Sequence, residues 1–273
     1  MNTVYEKVIH CYNDIREKTD FVPKVGVVLG SGLGDFANQL CDAVTLDYKE
    51  IDGFPVSTVP GHKGRFVFGY VGKTPVMVMQ GRVHYYEGYD ISDVVLPIRL
   101  MKLMGAETVF LTNAAGGLNL NFSPGDFMMI TDQIASFVPS PLIGENISEW
   151  GLRFPPMQEI YEKDLQEIIE TVAKEEKIKL QKGVYVQLSG PNYESPSEVK
   201  MCQILGGDAV GMSTAVEAIA AKHIGLKVCG ISCISNMGCG ISKTPLNHEE
   251  VGEMAAKVAP LFQTLLYKSI ERM

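Results

Sequence analysis

The feature that most restricts how this chain can fold is an alternation. Short runs of strand length and strand composition fall at 76–80, 108–112, 127–131, 184–189 and 228–234, and amphipathic helical segments at 91–104, 159–176, 195–205, 213–224 and 248–271 lie between or after them. Another such helix is expected over 3–18, and a buried strand opens the stretch Val25-Gly-Val-Val-Leu-Gly-Ser-Gly-Leu-Gly34. Strands separated by helices return in parallel, so the pattern predicts an α/β fold, a twisted, mixed but mostly parallel β-sheet flanked by helices. The 273 residues can bury one large core, and no repeat or low-complexity linker divides them, so a single domain over 1–273 is expected.

In the stretch ending at Gly34 a strand breaks into three glycines around Ser31, with a helix expected over 35–40. Such a junction turns backbone N–H groups and the positive end of a helix dipole outward, an arrangement suited to phosphate. It is not the dinucleotide fingerprint, because Gly30, Gly32 and Gly34 alternate and Asp35 stands where the third glycine belongs. Nor is it a hydrolase elbow, since Leu29 occupies the first glycine position before Ser31. The segment Gly69-Tyr-Val-Gly-Lys-Thr74 ends like a P-loop but is too short between its glycines; with 65–71 and 75–80 on either side it reads as a β-hairpin around Gly72 and Lys73. The loop at Ser31 is thus a general anion cradle.

A net charge of −8 disfavours a nucleic-acid surface, and a small anionic substrate must be met by local donors. No apolar run approaches the length of a membrane span, and the first residues lack the basic-then-apolar pattern of a signal peptide, so a cytoplasmic protein without membrane or nucleic-acid partners is expected. Cys11, Cys41, Cys202, Cys229, Cys233 and Cys239 form no C-x-x-C pair, and the spacing of the last three with His248 matches no zinc pattern. No metal site is expected.

Ligands of α/β proteins gather where strands end and loops begin, so the unusual loops should share one site. Besides the loop at Ser31 these are Gly81-Arg-Val-His-Tyr-Tyr-Glu-Gly88, Thr112-Asn-Ala-Ala-Gly-Gly117, Gly190-Pro-Asn-Tyr-Glu-Ser195, Gly211-Met-Ser-Thr214 and Ser235-Asn236. The run Ser195-Pro-Ser-Glu198 is a helix start with an N-cap serine and a capping box. Residues 138–158 form the one long loop, of the kind that is functional or mobile.

Together with Pro60-Gly-His62 and Asn247-His-Glu-Glu-Val251, these motifs make the chain closely resemble the trimeric purine nucleoside phosphorylases, in order and over nearly its whole length. The resemblance implies the nucleoside phosphorylase fold, a homotrimer with sites near subunit interfaces, and reversible phosphorolysis of 6-oxopurine nucleosides such as inosine and guanosine. It implies inorganic phosphate as co-substrate and no cofactor. Cleaving the glycosidic bond builds positive charge on the ribose and negative charge on the leaving purine, which asks for an anion below the sugar and a donor at the base.

For the phosphate the family pattern points to Ser31, Arg82, His84, the backbone N–H of Ala114, and Ser213, with His62 on a loop closing over the anion. Arginine offers a planar fork suited to oxyanions, and the i, i+2 spacing of Arg82 and His84 puts both on one face of an extended segment. Taken singly, Arg82 equally suits a surface ion pair and His84 a turn. For the ribose the pattern points to Tyr86, Met212 and His248, the last following an expected N-cap at Asn247, where the helix dipole disfavours imidazolium. For the purine it points to Glu194, Asn236 and Tyr193: a carboxylate accepts from N1–H, an amide donates to O6 and accepts near N7, and an aromatic ring covers the base. His84, Glu194, Asn236 and His248 are thereby the catalytic candidates.

Met237 and Tyr193 depart from the lysine and phenylalanine of animal members. Trp150, the only tryptophan, aligns with an aromatic residue that reaches into the neighbouring subunit's sugar site, against the plainer reading of a loop ring packed on its own chain. Two other activities compete: phosphorolysis of 5′-methylthioadenosine, which calls for an acidic residue in place of Asn236, and a non-catalytic nucleoside sensor, which has no need of the phosphate residues.

Overall fold

The computed structural model describes residues 3–59, 61–242 and 248–273, the side chains of 248–250 excepted. Its elements are α1 (Thr3–Lys18), β1 (Val25–Leu29), β2 (Cys41–Asp47), β3 (Arg65–Val71), β4 (Thr74–Gln80), α2 (Ile91–Val94), α3 (Leu96–Met104), β5 (Thr108–Gly117) and β6 (Phe127–Ile134). There follow α4 (Lys163–Glu175), β7 (Leu180–Gln187), α5 (Pro196–Ile204), β8 (Ala209–Gly211), α6 (Ala215–His223), β9 (Lys227–Met237) and α7 (His248–Ile270). The α/β architecture read from the alternation is the one observed.

Why the strands read as continuous apolar runs is visible in how their residues divide. Val28, Met77, Met79, Val109 and Leu111 point into a core shared with α1, α3 and α6, while Val25, Val27, Leu29, Val76, Val78 and Phe110 point into a second core beneath α4 and α7. Both faces of the central strands are therefore buried, which erases the alternation a half-exposed strand would show.

Nine strands run in the order β2-β3-β4-β1-β5-β8-β7-β6-β9, and β9 returns to pair with β5. The part from β5 to β9 thus closes on itself, and β4, β1 and the β3–β4 hairpin extend from it. Five pairings are parallel (β1–β4, β1–β5, β5–β9, β6–β7, β7–β8) and four antiparallel (β2–β3, β3–β4, β5–β8, β6–β9), so the sheet is mixed with only a narrow parallel majority. Closure depends on pairings between distant segments and leaves no local signature.

Local departures from the sequence reading have identifiable causes. The helix expected over 91–104 breaks into α2 and α3 at Val95, because Pro97 lacks an N–H and its ring crowds the carbonyl one turn earlier. The segment after Ser31 forms a 3-10 helix, Gly34–Gln39, in place of an α-helix. Strand β2 was not expected: it is an edge strand whose first five residues are exposed, so it carries no core pattern. Three-residue β8 is too short to be read from sequence. Ser195 caps α5 as expected, accepting from the Glu198 N–H while Glu198 bonds back to Ser195. Among the described residues no helix is long and apolar enough to cross a membrane.

Candidate active site

Strand β5 changes partners along one edge, and the site lies at the change. Its pairing with β1 ends at Val28↔Leu111, and β8 takes up the edge only at Gly116↔Val210. Over 112–115 that edge faces a cavity of about 620 Å³ whose wall includes Asn113, Ala114, Ala115 and Gly116. This is a topological switch point, where strands diverge and leave a crevice. The loop after β1 closes in beside it: a Cβ on Gly30 would stand 2.6 Å from the Asn113 Cα, so only glycine allows the approach, and the Gly30 N–H donates to Thr112 Oγ1 at 3.1 Å.

At one end of the cavity the polar groups suit an oxyanion. Arg82, 1% exposed, donates from Nη1 to Ser213 Oγ (2.5 Å) and Thr214 Oγ1 (2.8 Å) and from Nη2 to the Thr112 carbonyl (2.7 Å). Thr214 has φ 81° and ψ −53°, and the Ala215 N–H donates to the Ser213 carbonyl at 3.0 Å, a γ-turn that a β-branched residue adopts only under strain. That turn brings the Ser213 hydroxyl to the guanidinium. Ser213 therefore precedes the N-cap of α6 by one residue and does not itself open the helix.

Two imidazoles complete this end. His62 Nδ1 lies 3.0 Å from the Arg82 carbonyl, an acceptor only, so the proton sits on Nδ1 and Nε2 accepts from Ser31 Oγ at 3.3 Å. Burial, then repulsion from the neighbouring His84 ring, lowers the His62 pKa to about 4, which keeps it neutral. His84 is tied to Glu87, whose Oε1 accepts from the His84 N–H (2.7 Å) and lies 3.0 Å from Nδ1. Burial alone would raise the Glu87 carboxyl, but hydrogen bonds from His84 and Thr58 outweigh it and hold it at about 2, a fixed anion behind the ring.

The remaining wall includes the rings of Tyr86 and Tyr193 and the apolar side chains of Val59, Pro191, Val210 and Met212. His84 and Tyr86 stack with ring centroids 4.7 Å apart, and burial, reinforced by Glu87, pushes the Tyr86 hydroxyl up to about 12. Gly190 presses against Met212 and Tyr86, both of which line the cavity. Tyr193, Glu194 and Asn236 also line the cavity. Burial raises the Glu194 carboxyl above its ordinary range, with a smaller push from Glu198. The Asn236 amide is oriented by Ser235 Oγ donating to Oδ1 (2.7 Å) and by its own Nδ2 donating to the Met237 carbonyl (3.1 Å). Met237 itself packs over Gly117 and is absent from the cavity wall.

Ser31, Arg82, His84, Ala114 and Ser213 thus gather at one end and Tyr86, Tyr193, Glu194, Met212 and Asn236 along the remainder, with His62 behind Ser31. Pro60, Asn247 and the His248 side chain lie outside the described residues. Trp150 corrects an expectation. Its ring is 5% exposed, packed 5.6 Å from the Tyr5 ring and under the Arg99 guanidinium at 4.3 Å, within its own chain. A ring covered in this way is withdrawn from a neighbouring subunit. Instead Ile143, Leu152 and Phe154 of the same long loop stand 76%, 68% and 85% exposed.

Thr58, Glu87, Asn113 and Thr214 were not assigned roles from the sequence, although each touches or lines the site. Only Glu87 carried a signal, three residues after His84 within one motif; the others act through contacts between distant segments. Among the described residues no group of three His, Cys, Asp or Glu side chains could hold a metal ion.

An oxyanion-suited cluster and two aromatic rings lining one cavity, at the switch point of a mixed α/β sheet, define the class: an α/β protein with a preformed pocket for a small anionic ligand. Residues 24–271 match the Phosphorylase superfamily. The chain is 49% identical to purine nucleoside phosphorylase 1 of Geobacillus stearothermophilus over 244 residues, 89% of each chain. It is 46% identical to the purine nucleoside phosphorylase of Bos taurus, covering 92% of this chain and 91% of that one. The crystal structure of Schistosoma mansoni purine nucleoside phosphorylase in complex with inosine superposes with a TM-score of 0.93 at 38% identity, over 98% of this chain and 96% of that one. The chain belongs to the purine nucleoside phosphorylase family of the Phosphorylase superfamily.

Proposed function

We infer that this protein is a purine nucleoside phosphorylase that cleaves 6-oxopurine ribo- and deoxyribonucleosides with inorganic phosphate, reversibly, to free base and pentose 1-phosphate. The observation that carries the reading is the continuity of one cavity from the Arg82, Ser213 and Ser31 cradle to Glu194 and Asn236. Its volume of about 620 Å³ suits a nucleoside together with phosphate.

Phosphate held by Arg82, Ser31, His84, Ser213 and the Ala114 N–H presents an oxygen to C1′ from below. As the C1′–N9 bond breaks, its electron pair leaves with the purine and a C1′–O bond to phosphate forms. The dianion stabilises the cationic ribose that precedes it. Tyr86, Met212 and His248 hold the sugar. Glu194 accepts from N1–H, while Asn236 donates to O6 and accepts from N7–H as the leaving base takes a proton from solvent. Every developing charge has a protein or phosphate partner, so the reaction draws on no metal or organic cofactor.

The assembly is a homotrimer, supported by the family and by the exposed apolar side chains of the long loop. Six free cysteines, four of them buried, support a reducing, cytoplasmic setting. The test is base release from inosine, guanosine, adenosine and 5′-methylthioadenosine, with and without phosphate and after dialysis against a chelator. Release of hypoxanthine and guanine that requires phosphate and survives the chelator is expected; release without phosphate, or preference for methylthioadenosine, overturns the reading.

A further inference from the structure

Glu217 stands in the first turn of α6 and is 1% exposed, with Arg82, also 1% exposed, as its one ion-pair partner among the described residues: Oε2 is 3.6 Å from Arg82 Nη2. The same Oε2 accepts the Thr214 N–H at 3.0 Å. Glu217 Oε1 and Arg82 Nε have no partner among the described residues. We propose that Glu217 is a positioning residue for phosphate, a buried counter-charge that fixes both the Arg82 guanidinium and the turn carrying Ser213; the proposal rests on the phosphorolytic reading above.

Three features favour this over a simple helix cap. A capping glutamate is ordinarily solvated, and a neutral glutamine fills the same role, so burying a carboxylate here exceeds what the cap requires. The remaining Arg82 acceptors, Thr112 O, Ser213 Oγ and Thr214 Oγ1, are all neutral, so Glu217 is what compensates the guanidinium when no phosphate is bound. Finally, the carboxylate bonds to the one residue, Thr214, whose strained backbone aims Ser213 at Arg82. Burial raises the Glu217 carboxyl and Arg82 opposes the rise, so the two charges depend on each other.

Glu217→Gln keeps an acceptor for the Thr214 N–H and removes the charge. Titration calorimetry with inorganic phosphate alone, beside steady-state kinetics, should show the phosphate Kd and kcat/KM for phosphate worsening by at least about tenfold, while the nucleoside KM at saturating phosphate moves less than about twofold. Glu217→Asp, which keeps the charge but retracts it, should show a smaller loss confined to phosphate, and serves as the test if the glutamine variant does not fold. In an Arg82→Ala background Glu217→Gln should change kcat/KM for phosphate by less than about twofold, because the residue it acts through is gone. Unchanged phosphate affinity, an equal loss in both backgrounds, or a loss of melting temperature with both substrates affected alike overturns the proposal. Calorimetry reads phosphate without turnover, so its outcome stands even if the nucleoside assay refutes the phosphorolytic reading.

Discussion

At the scale of single residues, the base end and the anion end of the cavity make separable predictions. Asn236 is oriented by Ser235 and by the Met237 carbonyl, so its amide presents a donor to position 6 of a purine. Asn236→Asp offers only acceptors when ionised, which repels O6 and accommodates an amino group. The ratio of kcat/KM for inosine to that for adenosine should fall by at least about tenfold, as for the loss of a hydrogen bond to a buried polar group. At the anion end His62 titrates near 4 in the folded chain against 6.5 in the unfolded one. Between those values the unfolded chain binds the extra proton, so the stability due to this group is full above 6.5, falls as pH is lowered, and is lost below 4. Thermal melts at pH 7 and pH 5 should show a larger drop for the wild type than for His62→Asn.

Elements owe their positions to a few close approaches. Strand β1 can pass beside β5 and release the Ser31 loop only because Gly30 has no side chain; an added Cβ would meet the Asn113 Cα at 2.6 Å, a backbone atom that cannot rotate aside. Gly30→Ala should therefore destabilise the fold by about 1–3 kcal/mol, the range for overpacking, and displace Asn113 and Ala114 from the cavity wall. Chemical denaturation and phosphate affinity together check this: lowered stability with unaltered phosphate binding would show that the loop absorbs the methyl group by itself. The γ-turn at Thr214 is the other element-level device, since it interrupts the path from β8 to α6 at the point where Ser213 meets Arg82.

For the molecule as a whole, the long loop divides inward from outward side chains. Trp150 is held from within by Tyr5 and Arg99, while Phe154, Leu152 and Ile143 face away. If these three form the contact between copies, Phe154→Asp should shift the mass seen by light scattering from that of the proposed trimer toward monomer, with activity falling in parallel. Trp150 emission should stay blue in both forms, because its environment belongs to one chain. An unchanged mass would put any contact between copies elsewhere on the surface.

What the sequence determined by itself was local: the strand and helix periods, the hairpin at Gly72, the cap at Ser195, and the motifs that carry Arg82, His84, Glu194 and Asn236, the last of them in the final residues of β9 and not in the expected loop. These follow from spacing and from residue types whose chemistry is the same wherever they stand. Closure of the sheet through β5 and β9, the break between β1 and β8 that opens the cavity, the burial of Trp150, and the pairing of Glu217 with Arg82 were decided only by tertiary structure. Each joins segments tens to more than a hundred residues apart, and each depends on which face a side chain is turned toward. That choice is made when two hydrophobic faces of one sheet are buried at once, and no local run of residues records it.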